Sequence, residues 1–286
     1  MRPNCPKCEL NGLVRTNVIQ HGHFYRTSDS RYIQRFRCRN CNSSFSGATF
    51  HSCFRQKKRQ KNELLRKLLC SGVSQRRAAQ ILNIHRVTVV RKFLFLGLEA
   101  EFLFRKRNLL STPAKHIEFD DMESFEHTKC KPLSITLAVE SKTRRILGLE
   151  VSRMPAKGLL ARIKRYGPRM DERPLGREAL FRRIAPLLAA EVKIKSDSNP
   201  HYRNDVKQFL PNASYTQYLG KRGAITGQGE LKKVRFDPLF SLNHTCARMR
   251  ADVNRLFRRT WCTTKSPERL YWHLILYANF HNQRLA

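Results

Sequence analysis

Two cysteine pairs, "CPKC" (Cys5, Cys8) and "CRNC" (Cys38, Cys41), constrain the first fifty residues more than anything else in the chain. Each pair turns a tight knuckle that offers two thiolates, and two knuckles complete the tetrahedral shell of one zinc ion. A module this short has little apolar core, so the metal is expected to hold it together. Between the pairs, "NVIQHGHFYRT" and "SRYIQRFRC" read as strands about a turn at "TSDS", which gives a zinc ribbon over residues 1–55. His21 and His23 are spare ligands whose simpler reading is exposed polar residues. Cys53, Cys70, Cys130, Cys246 and Cys262 lack a paired spacing and read as small buried hydrophobes.

Charge sets the class of partner. Lys and Arg number 56 against 22 Asp and Glu, a formal charge of +34 over 286 residues, which no ordinary soluble enzyme needs. A polyanion is the direct physical reading, although charge alone does not separate DNA from RNA or an anionic membrane. No apolar run approaches the roughly 18 residues of a membrane span, and no leader pattern is present, so the expectation is a cytoplasmic protein with reduced cysteines.

Residues 56–108 read as helical. Leu64, Leu65, Leu68 and Leu69 share one face, Ser74 caps a helix carrying Ala78, Ala79 and Leu82, and Asn83 to His85 make a short turn into a helix from Arg86. The pattern is a helix-turn-helix, in which His85, Arg86, Thr88, Arg91 and Lys92 are expected near the DNA-facing side. Its plainer alternative is a helical hairpin.

Residues 109–286 are expected as an α/β domain with a mixed sheet, the period changing from Lys115 onwards. "HIEFDDMESFEH", "PLSITLAVES" and "ILGLEVS" are expected as an antiparallel meander, followed by a basic connection from Arg153 to Arg173. "REALFRRIAPLLAAE" reads as a helix, "VKIKSDS" as a strand, "PHYRNDVKQFL" as a helix and "ASYTQYL" as a strand, and a Gly-rich "GKRGAITGQGE" precedes two closing helical stretches. Trp261 and Trp272 are expected in the core.

Acids are scarce, so their positions carry weight. Asp120 and Asp121 lie in the first strand of the meander and Asp197 follows a later one, an order that brings carboxylates to one edge of a mixed sheet. Such a site suits Mg²⁺ or Mn²⁺ and metal-assisted phosphodiester chemistry. The alternatives are a strand-end ion pair for Asp120 or Asp121 and a helix cap for Asp197. In "LNHTCARMR", Leu242, Cys246, Met249 and Val253 form an apolar stripe, with a polar Asn243 beside it.

The ribbon, the helix-turn-helix, "FDDMESF", "KSDSNPHY" and "LNHTCARMRADVNRLFRRTWCTTK" together resemble the insertion-sequence transposases of the insertion-sequence-one type and its relatives. The resemblance covers nearly the whole chain and implies an RNase H-like catalytic domain. It places the catalytic aspartates at Asp120 and Asp197, and the third metal ligand, usually Glu, at Asn243, where an amide oxygen replaces a carboxylate. Glu230 and Asp237 are lower-ranked sources of the missing charge. Lys265 matches a basic residue of the family, and Arg250, Arg258, Arg259 and Lys265 are expected on phosphates, their alternative being a solvated basic face.

The resemblance further implies cleavage and joining at the element's terminal inverted repeats, with element ends and target as double-stranded DNA partners. It implies a homo-oligomer on DNA and a nucleoid-associated location. Two other functions stay open: a non-catalytic DNA-binding regulator of transposition, and a nuclease of this fold without joining activity.

Overall fold

The computed structural model describes residues 3–12, 17–27, 30–162, 166–219, 237–257 and 260–285. Glu230, Arg258, Arg259, the Gly-rich connection and the middle of the "TSDS" turn lie outside them. The chain forms two compact units, residues 1–64 and 65–286.

In the first unit, a short helix α1 (Pro6–Leu10) precedes a three-stranded antiparallel sheet of β1 (Val18–Arg26), β2 (Arg31–Cys38) and β3 (Ser44–Ser46), in that order. A register shift between Gln20 and His23 interrupts the β1–β2 ladder. The buried apolar residues are Cys5, Cys8, Val18, Cys38 and Phe45, with Phe36 and Cys41 packed against them. Four of these seven are the paired cysteines, so little remains to hold the sheet together beyond the thiols themselves.

Helix α2 (Asn62–Leu69) leads into the second unit, followed by α3 (Gln75–Leu82) and the 25-residue α4 (Arg86–Leu110). Ser74 accepts the Arg77 N–H at 3.2 Å and starts α3. Asn83 ends it in the left-handed conformation, φ 50°, which an asparagine tolerates better than most side chains, and His85 caps α4 by accepting the Val87 N–H.

The larger sheet contains β4 (Ala114–Phe125), β5 (Pro132–Glu140), β6 (Ile146–Arg153), β7 (Leu188–Asp197) and β8 (Ser214–Tyr218), ordered β6-β5-β4-β7-β8. β4, β5 and β6 form the expected antiparallel meander, while β7 and β8 add in parallel. Helices α5 (Arg173–Ile184) and α6 (Pro200–Phe209) supply the crossovers, and α7 (Phe240–Asp252) and α8 (Pro267–Gln283) close the chain.

The two faces of the sheet carry separate cores. Ile117, Phe119, Leu147 and Ile194 pack with Leu180, Phe181, Ile184 and Tyr202 from α5 and α6. On the other face, Met122, Leu133, Ile135, Leu137 and Leu149 pack with residues of α2, α3, α4, α7 and α8, so α3 and α4 share one core with the sheet. The β6 edge is closed by amides: Asn282 accepts the Ile146 N–H at 2.9 Å and donates to its carbonyl at 2.8 Å, and Asn108 donates to the Ile146 and Leu147 carbonyls at 3.2 Å.

Some local expectations differ from the structure. "PLLAAE" is not helical. Pro186, lacking an N–H, sits in a 3-10 turn over Ala185–Leu187, and β7 begins at Leu188. Trp261 is 78% exposed rather than core, whereas Trp272 is half-buried against the core.

Helix α5 sits close on β6 because two glycines allow it. A β-carbon on Gly148 would lie 2.7 Å from Leu180 and 2.8 Å from Ile184, and one on Gly176 would lie 2.0 Å from the Ser152 hydroxyl. Gly148→Val is therefore expected to lower unfolding free energy by about 1–3 kcal/mol through overpacking, measured by denaturant titration. A variant as stable as the native chain would show that α5 is not held at this distance.

Candidate metal centres

Cys5, Cys8, Cys38 and Cys41 converge with all four sulfurs within 4.8 Å of one another. Cys5 Sγ lies 3.6 Å from Cys41 Sγ, and Cys8 Sγ 3.8 Å from Cys38 Sγ. Tetrahedral zinc with Zn–S bonds of about 2.3 Å places its sulfurs about 3.8 Å apart, so the cluster fits zinc. Hydrogen bonds from Ser43 hold the Cys41 thiol down at about 6, which favours a thiolate ligand, whereas burial pushes Cys8 up to about 12. A cation among the four would reverse that penalty. The knuckles form because α1 starts at Pro6, whose missing N–H costs nothing at a helix start, and Asn42 turns with φ 56° behind Cys41.

Zinc removal by a chelator, or Cys38→Ser, is expected to release one zinc per chain and abolish hydrogen-exchange protection in β1–β3 while leaving β4–β7 protected. Retained protection in the metal-free ribbon would contradict a structural zinc.

The second candidate centre depends on the parallel pairing of β4 with β7. Their ladder runs to Glu118 opposite Lys195, and two residues on along both strands come Asp120 and Asp197. The Asp120 carboxyl is raised from 3.8 to about 6, first by burial and then by the charge of Asp197. Asp120 Oδ1 accepts the Asp121 N–H at 2.7 Å and the Tyr202 hydroxyl at 2.9 Å, and Asp197 Oδ1 accepts the Asn199 N–H at 3.0 Å. Each carboxylate is thus oriented through one oxygen.

Asp121 has a different environment, because alternate residues of a strand face opposite sides. It accepts a hydrogen bond from Thr136 and lies 3.9 Å from Arg177, a 4% exposed guanidinium that also pairs with Asp205. Asp121 is neutralised within the fold, as are Glu126, Glu140, Glu150 and Asp252, each beside an arginine. Among the described residues, Asp120 and Asp197 make no ion pair. They form a pair only, since the cysteine cluster is the one group of three or more Cys, His, Asp or Glu ligands found among the described residues.

Helix α7 is fastened to the face of β4 that carries Asp120. The buried Glu118 accepts the Leu242 N–H at 2.8 Å, satisfying an orphan donor in the first turn of α7, and Ser241 accepts the Lys142 N–H at 2.9 Å. Three residues before Cys246, whose thiol is raised to about 12 by burial and by nearby Asp120, stands Asn243. Asn243 is exposed, and its amide nitrogen donates to Asp237 at 2.7 Å. That bond leaves the amide oxygen as the acceptor and sets a carboxylate beside the position where the resemblance places an acid.

The expected DNA-contacting residues separate. Arg86 and Arg91 are exposed on α4 and Thr88 is half-buried, but Lys92 is only 3% exposed and is turned into the fold, because it follows Arg91 toward the Phe93 face. Arg250 lines a groove of about 330 Å³ together with Glu123, Lys129, Lys157 and Arg255. Lys265 is exposed. Glu118, Tyr202 and Arg177 had no motif to mark them, although the alternation in "HIEFDD" puts Glu118 and Asp120 on one side of β4.

No protein-family model and no curated protein matches the chain. Among the described residues, no helix is long and apolar enough to cross a membrane.

Because Asp120 takes up its proton more readily when folded, the stability it confers is present at low pH and lost as pH rises through about 6. Asp120→Asn, measured by denaturation in a chelator, is expected to be more stable than the native protein at pH 8 by up to roughly 3 kcal/mol, with the gain vanishing below about pH 4. An equal stability at pH 8 would remove the burial argument.

Proposed function

We propose that the chain is a DNA transposase with a zinc ribbon, a helix-turn-helix and an RNase H-like catalytic domain. It binds the terminal inverted repeats of its element and carries out metal-dependent phosphodiester cleavage and strand transfer. The observation that carries this reading is the pair of unneutralised acids, Asp120 and Asp197, at the same level of adjacent parallel strands in a chain of charge +34. A chain so rich in arginine has every opportunity to pair its carboxylates, and these two stay apart from any cation among the described residues.

Asp120, Asp197 and the Asn243 amide oxygen would hold Mg²⁺ or Mn²⁺, which supplies charge neutralisation at the scissile phosphate and activation of the attacking oxygen. The protein's own part is positional. Tyr202 and the Asp121 N–H fix the Asp120 carboxylate, and the Glu118 contact holds the start of α7 so that Asn243 keeps its place. Arg250 and Lys265, with Arg258 and Arg259, would bind backbone phosphates beside the cut. Arg86 and Arg91 on α4 would contact the element end, with Lys92 supporting the helix from inside. The partners are double-stranded DNA ends and target, handled by a homo-oligomer in the nucleoid-associated cytoplasm.

One observation favours a second reading, a DNA-binding regulator without catalysis: an exposed amide stands where the resemblance has an acid. Asp237, 2.7 Å from that amide, restores a negative charge and argues for activity.

The test is cleavage of DNA carrying the element's own ends in Mg²⁺ or Mn²⁺. Metal-dependent nicking that falls at least about 100-fold in Asp120→Ala and in Asp197→Ala is the expected result. A comparable loss in Asn243→Ala makes the amide a ligand, and loss confined to Asp237→Ala moves that role to the acid. Tight binding to the ends with no nicking by the native protein would decide for the regulator.

A further inference from the structure

The flank of α7 turned away from Asn243 lines a second concave surface. His244, Arg248 and Asp252 follow one another at four-residue spacing and meet His281 and Arg284 of the α8 end and Arg144 of the β5–β6 turn around a groove of about 270 Å³. Three guanidiniums share a single carboxylate there, and Asp252 is already taken by Arg248 at 3.3 Å and by the Tyr277 hydroxyl at 3.1 Å. Arg144 and Arg284 have no acid partner among the described residues.

Arg144 is also held in an uncommon backbone state. Its φ is 64°, a left-handed conformation that costs a non-glycine residue energy, and His281 Nε2 lies 3.0 Å from its carbonyl oxygen. The turn thereby sets the Arg144 guanidinium 3.2 Å from both ring nitrogens of His244. Burial and the nearby arginines hold both histidines below their ordinary range, as a region of positive potential requires. Packing three guanidiniums and two imidazoles around one carboxylate leaves the concavity with an excess of positive charge, which an entering anion offsets.

We propose that this groove binds a backbone phosphate of a second DNA segment, distinct from the duplex at the Asp120–Asp197 pair. The inference rests on the DNA-binding part of the proposed function but not on catalysis. Successive residues of a helix point about 100° apart, so α7 offers Asn243 and Arg250 on one flank and His244 and Arg248 on the other. One helix can then position two DNA segments against each other, the geometry that a joining reaction needs.

The experiment measures binding of an uncut duplex to the full-length protein by fluorescence anisotropy without divalent metal, across a salt series. Arg144→Gln combined with Arg284→Gln should lower the slope of log affinity against log salt by about 0.9, since the groove takes one phosphate and each lost phosphate contact removes about 0.9. With one duplex already bound, the native protein should capture a second labelled duplex and the double variant should not. An unchanged slope and equal capture in a folded variant would overturn the proposal, as would failure of the native protein to bind DNA.

If the double variant unfolds, Arg248→Gln combined with Arg284→Gln, both at exposed positions, carries the same test. Pyrophosphate that raises the melting temperature of the native protein but not of the variant, with no change in DNA slope, would assign the groove to a small anion and overturn the DNA reading. Nicking in Mg²⁺ reports on the acid pair separately, so a dead catalytic site and an empty groove are told apart.

Discussion

The parallel pairing of β4 with β7 is the constraint on which the second unit depends. A parallel pair needs a crossover, and here β5, β6 and α5 intervene before the chain returns as β7. Phe119 fixes that arrangement from the centre: its ring lies 5.1 Å from Phe181, 4.8 Å from Tyr202 and 6.3 Å from Tyr215, so α5, α6 and β8 all close on one strand residue. With β4 so clamped, the next residue is Asp120, and its distance along the strand from the last paired position matches that of Asp197. Two carboxylates that would separate freely in water are kept at one sheet edge by apolar packing on the face opposite Asp120.

Glu118 then couples the sheet to α7. An unpaired buried carboxylate is costly, and the first-turn N–H of a helix is a donor with no internal partner; joining them solves both problems at once. The same contact fixes the azimuth of α7, sending Leu242 and Met249 into the core and leaving Asn243 and Arg248 exposed on different flanks. Loss of this one hydrogen bond would act on every function assigned to the helix.

Much of this was legible in the sequence, for identifiable reasons. The cysteine spacing is short and local, so the ribbon and its cluster can be read from residues alone. The meander follows from alternation, and the α3–α4 turn from Ser74, Asn83 and His85, which act within a few residues of themselves. What escaped was set by distant partners. Lys92 looks like any basic residue after Arg91 until the helix phase buries it, and Trp261 looks like core until the chain around it is placed at the surface. Glu118 carries no motif because its partner lies 124 residues away. Asp121 reads as well as Asp120 until Arg177, from a helix some fifty residues on, neutralises it.

The economy of acids gives the strongest physical ordering of the two flanks of α7. In a strongly basic chain a carboxylate readily finds an arginine, as Asp121, Glu126, Glu140, Glu150 and Asp252 do, while Glu118 and Asp237 are held by N–H donors instead. With 56 Lys and Arg against 22 Asp and Glu, unpaired cations are the rule and two adjacent acids without a cation are the departure. Asp120 and Asp197 are anions without a cation among the described residues, and Arg144 and Arg284 are cations without an anion. On the function proposed above, the acid pair would take a divalent metal and the arginine groove a phosphate, and cleavage of bound DNA would need both within reach of one rigid element. The helix that Glu118 fastens to β4 would be that element, since Asn243 lies on one flank of it and His244 and Arg248 on the other.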